Sequence, residues 1–275
     1  TQDRTGLAAG TYTVIVTDGN GCTKTTSVTI TQPSAMVLST TQVNVLCNAG
    51  TNGSIDLTVS GGSGAYTYNW GAGQPTSQDR TGLTVGTYTV IVTDGNGCTK
   101  TTSVTITQPL VLAVSTSSTT ITCFAGNNGT ATASASGGTG PYQYQWSTGA
   151  VTPSISNLTS GGYFVFVKDF NLCETQGQVI VVSNSNIVVS GTVSQNVCYQ
   201  SCNGSITLSV TGGVGPYTYV WSNGSLSRDI SGLCAGTYTV TVKDFNNCTS
   251  TKTFVLTSPA PVAVNLGPNR TLCSG

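Results

Sequence analysis

An all-β chain of small tandem sandwiches is the fold class this sequence predicts, on three observations. Thr, Val, Ile and Tyr are abundant while Glu, Lys and Met are scarce, which is a β composition. Apolar and polar residues alternate in short runs bounded by Gly, Asn and Asp, the pattern of half-buried strands and turns. The pattern also returns at a fixed step. Trp70, Trp146 and Trp221 lie 75 or 76 residues apart, as do Tyr12, Tyr88, Tyr163 and Tyr238, and Cys22, Cys98, Cys173 and Cys248.

The repeat sets the domain organisation. Residues 1–33 recur at 77–109 with three differences, at Thr1, Ala8 and Ala9. Boundaries after Pro33, Pro109, Ser183 and Pro259 give complete repeats over 34–109, 110–183 and 184–259. The C-terminal half of a repeat (1–33) precedes them and the N-terminal part of another (260–275) follows. A chain that opens and closes mid-repeat reads as a segment of a longer array.

Each element of a repeat follows from its residues, as 34–109 shows. Asn52-Gly53 predicts a tight hairpin between a strand near 43–47 and the strand 54–60. Ile55, Leu57 and Val59 share one face of the latter. After Gly61-Gly62-Ser63-Gly64, Tyr66, Tyr68 and Trp70 line one face of the next strand. Leu83, Gly86 and Tyr88 then have the spacing of a tyrosine corner, which predicts that Tyr88, Val90 and Val92 point inward. Asp94-Gly95-Asn96-Gly97 turns the chain into the last strand, 98–107. About seven short strands with a Trp facing a Tyr predict an immunoglobulin-like sandwich of the PKD or fibronectin III kind. Repeats of about 75 residues bury little surface. The third has the smallest core, with Ala131, Ala133 and Ala135 in place of Ile55, Leu57 and Val59.

Composition excludes several functions. The chain has nine basic and nine acidic residues and no His. That removes the electrostatic footprint of a nucleic-acid binder, His-dependent catalysis and His-ligated metals. No apolar run reaches the roughly 18 residues of a membrane span. Asp94-Gly95-Asn96-Gly97 and Asp18-Gly19-Asn20-Gly21 superficially resemble calcium loops but lack the further acidic ligands and closing Glu. No catalytic residue, metal or cofactor is expected. The sequons at Asn52, Asn128 and Asn203 coincide with expected turns.

Ten cysteines, eight of them at periodic positions, without His, read as disulfides of an oxidising compartment. Two pairings fit the period. Within repeats they are Cys47–Cys98, Cys123–Cys173 and Cys198–Cys248; across junctions they are Cys22–Cys47, Cys98–Cys123, Cys173–Cys198 and Cys248–Cys273. The first is preferred, because a strand rising about 3.3 Å per residue separates the second set. It leaves Cys22 and Cys273 with partners outside the segment. Cys202 and Cys234 occur in the fourth repeat alone, at its AB and EF turns, and are expected to pair. Each bridge adds roughly 2–4 kcal/mol.

One long, ordered run carries a family resemblance. Cys202-Asn203-Gly204-Ser205-Ile206, Thr211-Gly212-Gly213, Pro216-Tyr217-Thr218-Tyr219-Val220-Trp221-Ser222-Asn223-Gly224, Gly232-Leu233 and Ala235-Gly236-Thr237-Tyr238 through Asp244 resemble the SprB repeat. The resemblance covers all three complete repeats and both halves. It implies a giant surface adhesin of Bacteroidota, exported by the type IX system and including gliding-motility adhesins. It names no catalytic or ligand residue, and fold alone does not fix function.

The expected function is therefore a non-enzymatic, disulfide-stapled rod in an outer-membrane-attached adhesin or extracellular filament. Its first partners are the other repeats of the same chain. A carbohydrate-binding array and the spacer of a secreted hydrolase are the alternatives, and surface polysaccharide is a further candidate partner. One surface departs from the repeat pattern. Phe164, Phe166, Ile180 and Val182 share the outer face of the third repeat's last hairpin, where other repeats carry mostly Thr. That face is expected to contact another chain or repeat. Phe170 and Phe245, at turn tips, are expected to pack against the preceding repeat.

Overall fold

The computed structural model describes residues 3–265 and 267, all β and turn. The first strands are β1 (Gly10–Thr17) and β2 (Thr23–Ile30), a lone hairpin. Next come β3 (Val37–Val43), β4 (Gly53–Ser60), β5 (Thr67–Asn69), β6 (Arg80–Leu83), β7 (Gly86–Thr93) and β8 (Thr99–Ile106). They form two three-stranded antiparallel sheets, β3-β4-β6 and β5-β7-β8. The plan repeats in β9 (Ala113–Ser118), β10 (Gly129–Ser136), β11 (Gln143–Trp146), β12 (Ser154–Leu158), β13 (Gly161–Lys168) and β14 (Glu174–Val181). It repeats again in β15 (Val188–Ser194), β16 (Gly204–Thr211), β17 (Thr218–Trp221), β18 (Ile230–Leu233), β19 (Gly236–Lys243) and β20 (Thr249–Leu256). Each sandwich thus has six strands in A-B-E and C-F-G sheets, one fewer than the sequence suggested.

The chain divides into two compact units. One holds Thr1–Leu112, Gly137–Gly140 and Asp169–Cys173; the other holds Ala113–Ser136, Pro141–Lys168 and Glu174–Gly275.

Alternation builds each core. In the second repeat Ile55, Leu57, Trp70, Leu83, Val90, Val92, Val104 and Ile106 are buried between the sheets. Each Trp indole, buried in the core, donates to a backbone carbonyl at 2.9 Å: Trp70 to Ser77, Trp146 to Thr152, Trp221 to Ser227. The tyrosine corner forms in every copy. The hydroxyls of Tyr12, Tyr88, Tyr163 and Tyr238 donate to the carbonyls of Ala8, Thr84, Thr159 and Cys234. The hairpin β1–β2 has the same strand sequence as β7–β8. Among the described residues no second sheet covers it, and Val14, Val16 and Val28 are exposed where Val90, Val92 and Val104 are buried.

The third sandwich closes around its small alanines by bringing strands A and G together. Gly177 in β14 leaves room for strand A: a Cβ there would lie 3.0 Å from both Val114 and Thr116 side chains. Thr116 and Ser118 hydroxyls then donate to the carbonyls of Gln178 and Ile180, at 2.7 and 2.9 Å.

β3 and β4 pair antiparallel as expected, but not through a tight Asn52-Gly53 turn. Residues 44–52 make a loop between β3 and β4, along which the chain crosses from one sheet to the other: Val45 N–H donates to Thr107 O at 3.0 Å. Gly53 begins β4 instead of occupying a turn. It is required by close packing, since a Cβ would fall 2.8 Å from Leu83 O and 2.9 Å from Ile106.

Candidate functional site

The cysteines sit on two local devices that recur through the chain. The first is the AB loop. In 44–52 the side-chain oxygen of Asn52 accepts from Leu46 N–H, and Gly50 N–H donates to Cys47 O. Asn128 and Asn203 hold Thr122 and Val197 in the same way, and Cys123 and Cys198 occupy the position of Cys47. The residue at Ala49, Ala125 and Gln200 takes positive φ, between 53° and 59°. The sequon asparagines are therefore clamps of this loop.

The second device is the FG turn, an Asp-x-Asn-x-Cys sequence. One carboxylate oxygen of Asp94 accepts from Asn96 and Cys98 N–H at 3.0 and 2.9 Å. The other accepts from Ser63 N–H in the BC loop at 3.1 Å. Asp169 repeats this with Asn171, Cys173 and Thr139, and Asp244 with Cys248 and Val214. All three carboxylates are buried. The Cys98 N–H foremost, then those of Ser63 and Asn96, hold the Asp94 carboxyl below its ordinary range against the opposing effect of burial. A carboxylate so engaged is a turn clamp. Among the described residues no three Cys, Asp or Glu converge to hold a metal ion.

These devices meet across repeats. Cys47, in the AB loop of the second repeat, is bonded to Cys173, in the FG turn of the third, with Cα atoms 5.7 Å apart. Cys123 of the third repeat is bonded to Cys248 of the fourth, at 5.5 Å. Asn171, the middle residue of its turn, also donates to Leu46 O at 3.1 Å, and Asn246 to Thr122 O at 3.5 Å. These two asparagines are functional positions the sequence reading missed; the recurring Asp-x-Asn-x-Cys spacing is the signal that marks them.

Both expected pairings are thereby corrected. Cys47–Cys98, Cys123–Cys173 and Cys198–Cys248 do not form, and neither do the junction pairs among the described residues. The reason is the height of one strand. The AB loop lies at the far end of β8, where Asn48 donates to Pro109 O and Ala49 N–H to the Gln108 side chain. Cys98 precedes the opposite end of β8, about 24 Å away over eight residues. Cys98 and Cys198, expected in bridges, are free and exposed, as is Cys22; Cys273 lies outside the described residues. Cys202 is bonded to Cys234 within the fourth repeat, joining AB loop and EF turn.

The remaining expected positions are on the surface. Phe164, Phe166 and Ile180 are exposed on one sheet face, and Val182, exposed as well, follows the end of β14. Phe170 and Phe245 are exposed as well, at 67% and 69%, and do not pack as expected. The turn tips carry their asparagines to the neighbouring loop and leave the rings in solvent.

Fold and cysteine sites together define a tandem array of immunoglobulin-like sandwiches with bridges running from one repeat to the next. The SprB repeat family model matches the chain three times, over 39–75, 115–151 and 190–226. Each match runs from strand A past strand C. No curated protein matches the sequence. Among solved structures the chain is similar to the N-terminal eight immunoglobulin domains of Down syndrome cell adhesion molecule, at 11% identity and TM-score 0.37, covering 92% of this chain and 40% of that one. It spans less than half of that chain's length. Titin domains I67–I69 align at 12% identity and TM-score 0.39, over 84% of this chain and 100% of that one. Domains 1–6 of the surface layer protein SbsC align at 17% identity and TM-score 0.28, over 94% and 46%.

Proposed function

We propose that this chain is a non-enzymatic structural segment of a large extracellular adhesin or filament, attached at the outer membrane and serving adhesion or gliding as a disulfide-stapled stalk. The SprB repeat matches support the adhesin-like reading, and bridges of this kind belong to an oxidising compartment.

The observation that carries the stalk is the overlap of two staples. Cys47 with Cys173 makes one covalent junction, and Cys123 with Cys248 makes another. Three stretches of chain connect these junctions in parallel: 48–122, 124–172 and 174–247. Tension between the junctions is therefore shared by three backbones. The Cys202–Cys234 bridge shortcuts the last of these stretches, which limits their separation to about 150 Å even if every sandwich unfolds, against about 680 Å for the open chain at ~3.4 Å per residue.

Single-molecule stretching of the 275-residue chain by its ends tests this. The oxidised chain is expected to end about 530 Å shorter than the reduced one at full extension. Cys47→Ser is expected to return only about 110 Å of that, because the second staple still shields 124–247. Equal oxidised and reduced lengths would overturn the proposal. So would a return of about 170 Å on Cys47→Ser, the signature of separate bridges inside each repeat.

A further inference from the structure

The third repeat carries a surface that the other repeats lack. On the outer face of its C-F-G sheet, Phe166 lies between Gln145 of β11 and Gln176 of β14, and Phe164 stands beside Gln178. Gln143, Lys168 and Glu174 form the next row. The corresponding face elsewhere carries paired hydroxyls, Thr87 with Thr105, Thr89 with Ser103, and Thr239 with Thr253, each at 2.8–3.0 Å, with aliphatic Ile91, Val220 and Val255 and no aromatic ring. Those hydroxyls satisfy one another. In the third repeat the two rings are exposed, at 46% and 49%, and the side chains of Gln143, Gln145, Gln176 and Gln178 are exposed beside them. A shallow depression of about 440 Å³ opens along the free edge of β11, lined by Gln143, Tyr144, Gln145, Val151, Phe166 and Lys168.

We infer that this face binds a neutral polysaccharide chain. The apolar side of a sugar ring stacks on an aromatic face, and each Gln amide offers both donors and an acceptor to hydroxyls. Phe164 and Phe166 stand about 7 Å apart along one strand, so successive sugars of a chain have successive rings to meet. The ligand is neutral because the one cation and the one anion of the face pair with each other, Lys168 with Glu174 at 2.6 Å. A second copy of the chain is a poorer occupant. Three strands over some seven residues offer roughly 350 Å², below the ~800 Å² per partner of a stable protein interface.

Native affinity electrophoresis of the whole oxidised chain tests this, in gels containing a soluble β-glucan, an α-glucan, a galactan or a mannan. Retardation is expected in at least one. Phe166→Ala and Gln145→Ala are each expected to weaken it about tenfold, while Thr241→Ala, at the equivalent position of the fourth repeat, leaves it unchanged. Both substituted side chains of the third repeat are exposed, and near-ultraviolet circular dichroism confirms that Trp146 keeps its environment. Mobility unaffected by all four polymers, or retardation that survives Phe166→Ala, overturns the inference. A dimer in sedimentation that Phe166→Ala dissolves overturns it too and assigns the face to a second copy.

Discussion

Cys173 is bonded to Cys47, 126 positions earlier in the preceding repeat, and not to Cys123 of its own repeat. The bond joins the end of one sandwich where its chain leaves to the FG turn of the next. Asp169 makes this geometry: its carboxylate fixes the Cys173 and Asn171 amides and ties them to the BC loop. The turn that carries Cys173 is therefore held by hydrogen bonds of its own.

Acid should loosen that clamp where its carboxyl is held low. The Asp94 carboxyl titrates below its ordinary range, chiefly through the Cys98 N–H. Its contribution to stability is complete above the unfolded value of about 3.9 and is lost as pH falls through the lower folded value. Amide chemical shifts of Asn96 and Cys98, followed down from pH 7, are expected to move together below that range. Asp94→Asn is expected to abolish the transition. A midpoint at or above the ordinary carboxylate value would contradict the assignment.

Close backbone approach, more than positive φ, should make one glycine irreplaceable. A Cβ on Gly212 would lie 1.9 Å from Asn186 O, with φ at +73°. Gly224 has φ at +84° and nothing within 4 Å. Gly224→Ala is expected to cost about 1 kcal/mol, and Gly212→Ala about 3 kcal/mol. Thermal unfolding of the fourth sandwich, read by Trp221, gives the ranking; equal costs would show that the contact relaxes freely.

Arg80 is a cost the second sandwich carries. It is buried over Trp70 and Tyr88, where the third and fourth sandwiches place Ile155 and Ile230, and its Nη1 has no hydrogen-bond partner. Arg80→Ile is expected to stabilise this sandwich by about 1–2 kcal/mol, measured as a shift in its denaturant midpoint. A loss of stability would mean that the ring contacts and the bond to Gln74 outweigh the buried charge.

The strands and core were legible because alternation reports burial directly. Val90, Val92, Ile55 and Leu57 are where period two places them, and the Trp and Tyr spacing marks facing sheets. The cysteine partners were not legible. A repeat of 75 residues allows partners at several separations that fit the period equally well, and only the position of the loops chooses among them. Reading Asn52-Gly53 as a hairpin moved Cys47 from the loop onto a strand, which removed the fact that decides the pairing. Gly53 is glycine for lack of space, and sequence does not separate that reason from a turn.

Peptide mapping of the unreduced chain, with free thiols blocked before digestion, tests the staple from one repeat to the next most directly. The expected result is three linked pairs, Cys47–Cys173, Cys123–Cys248 and Cys202–Cys234, with Cys22, Cys98 and Cys198 carrying the blocking group. Recovery of Cys47 linked to Cys98, or of Cys123 linked to Cys173, would contradict it.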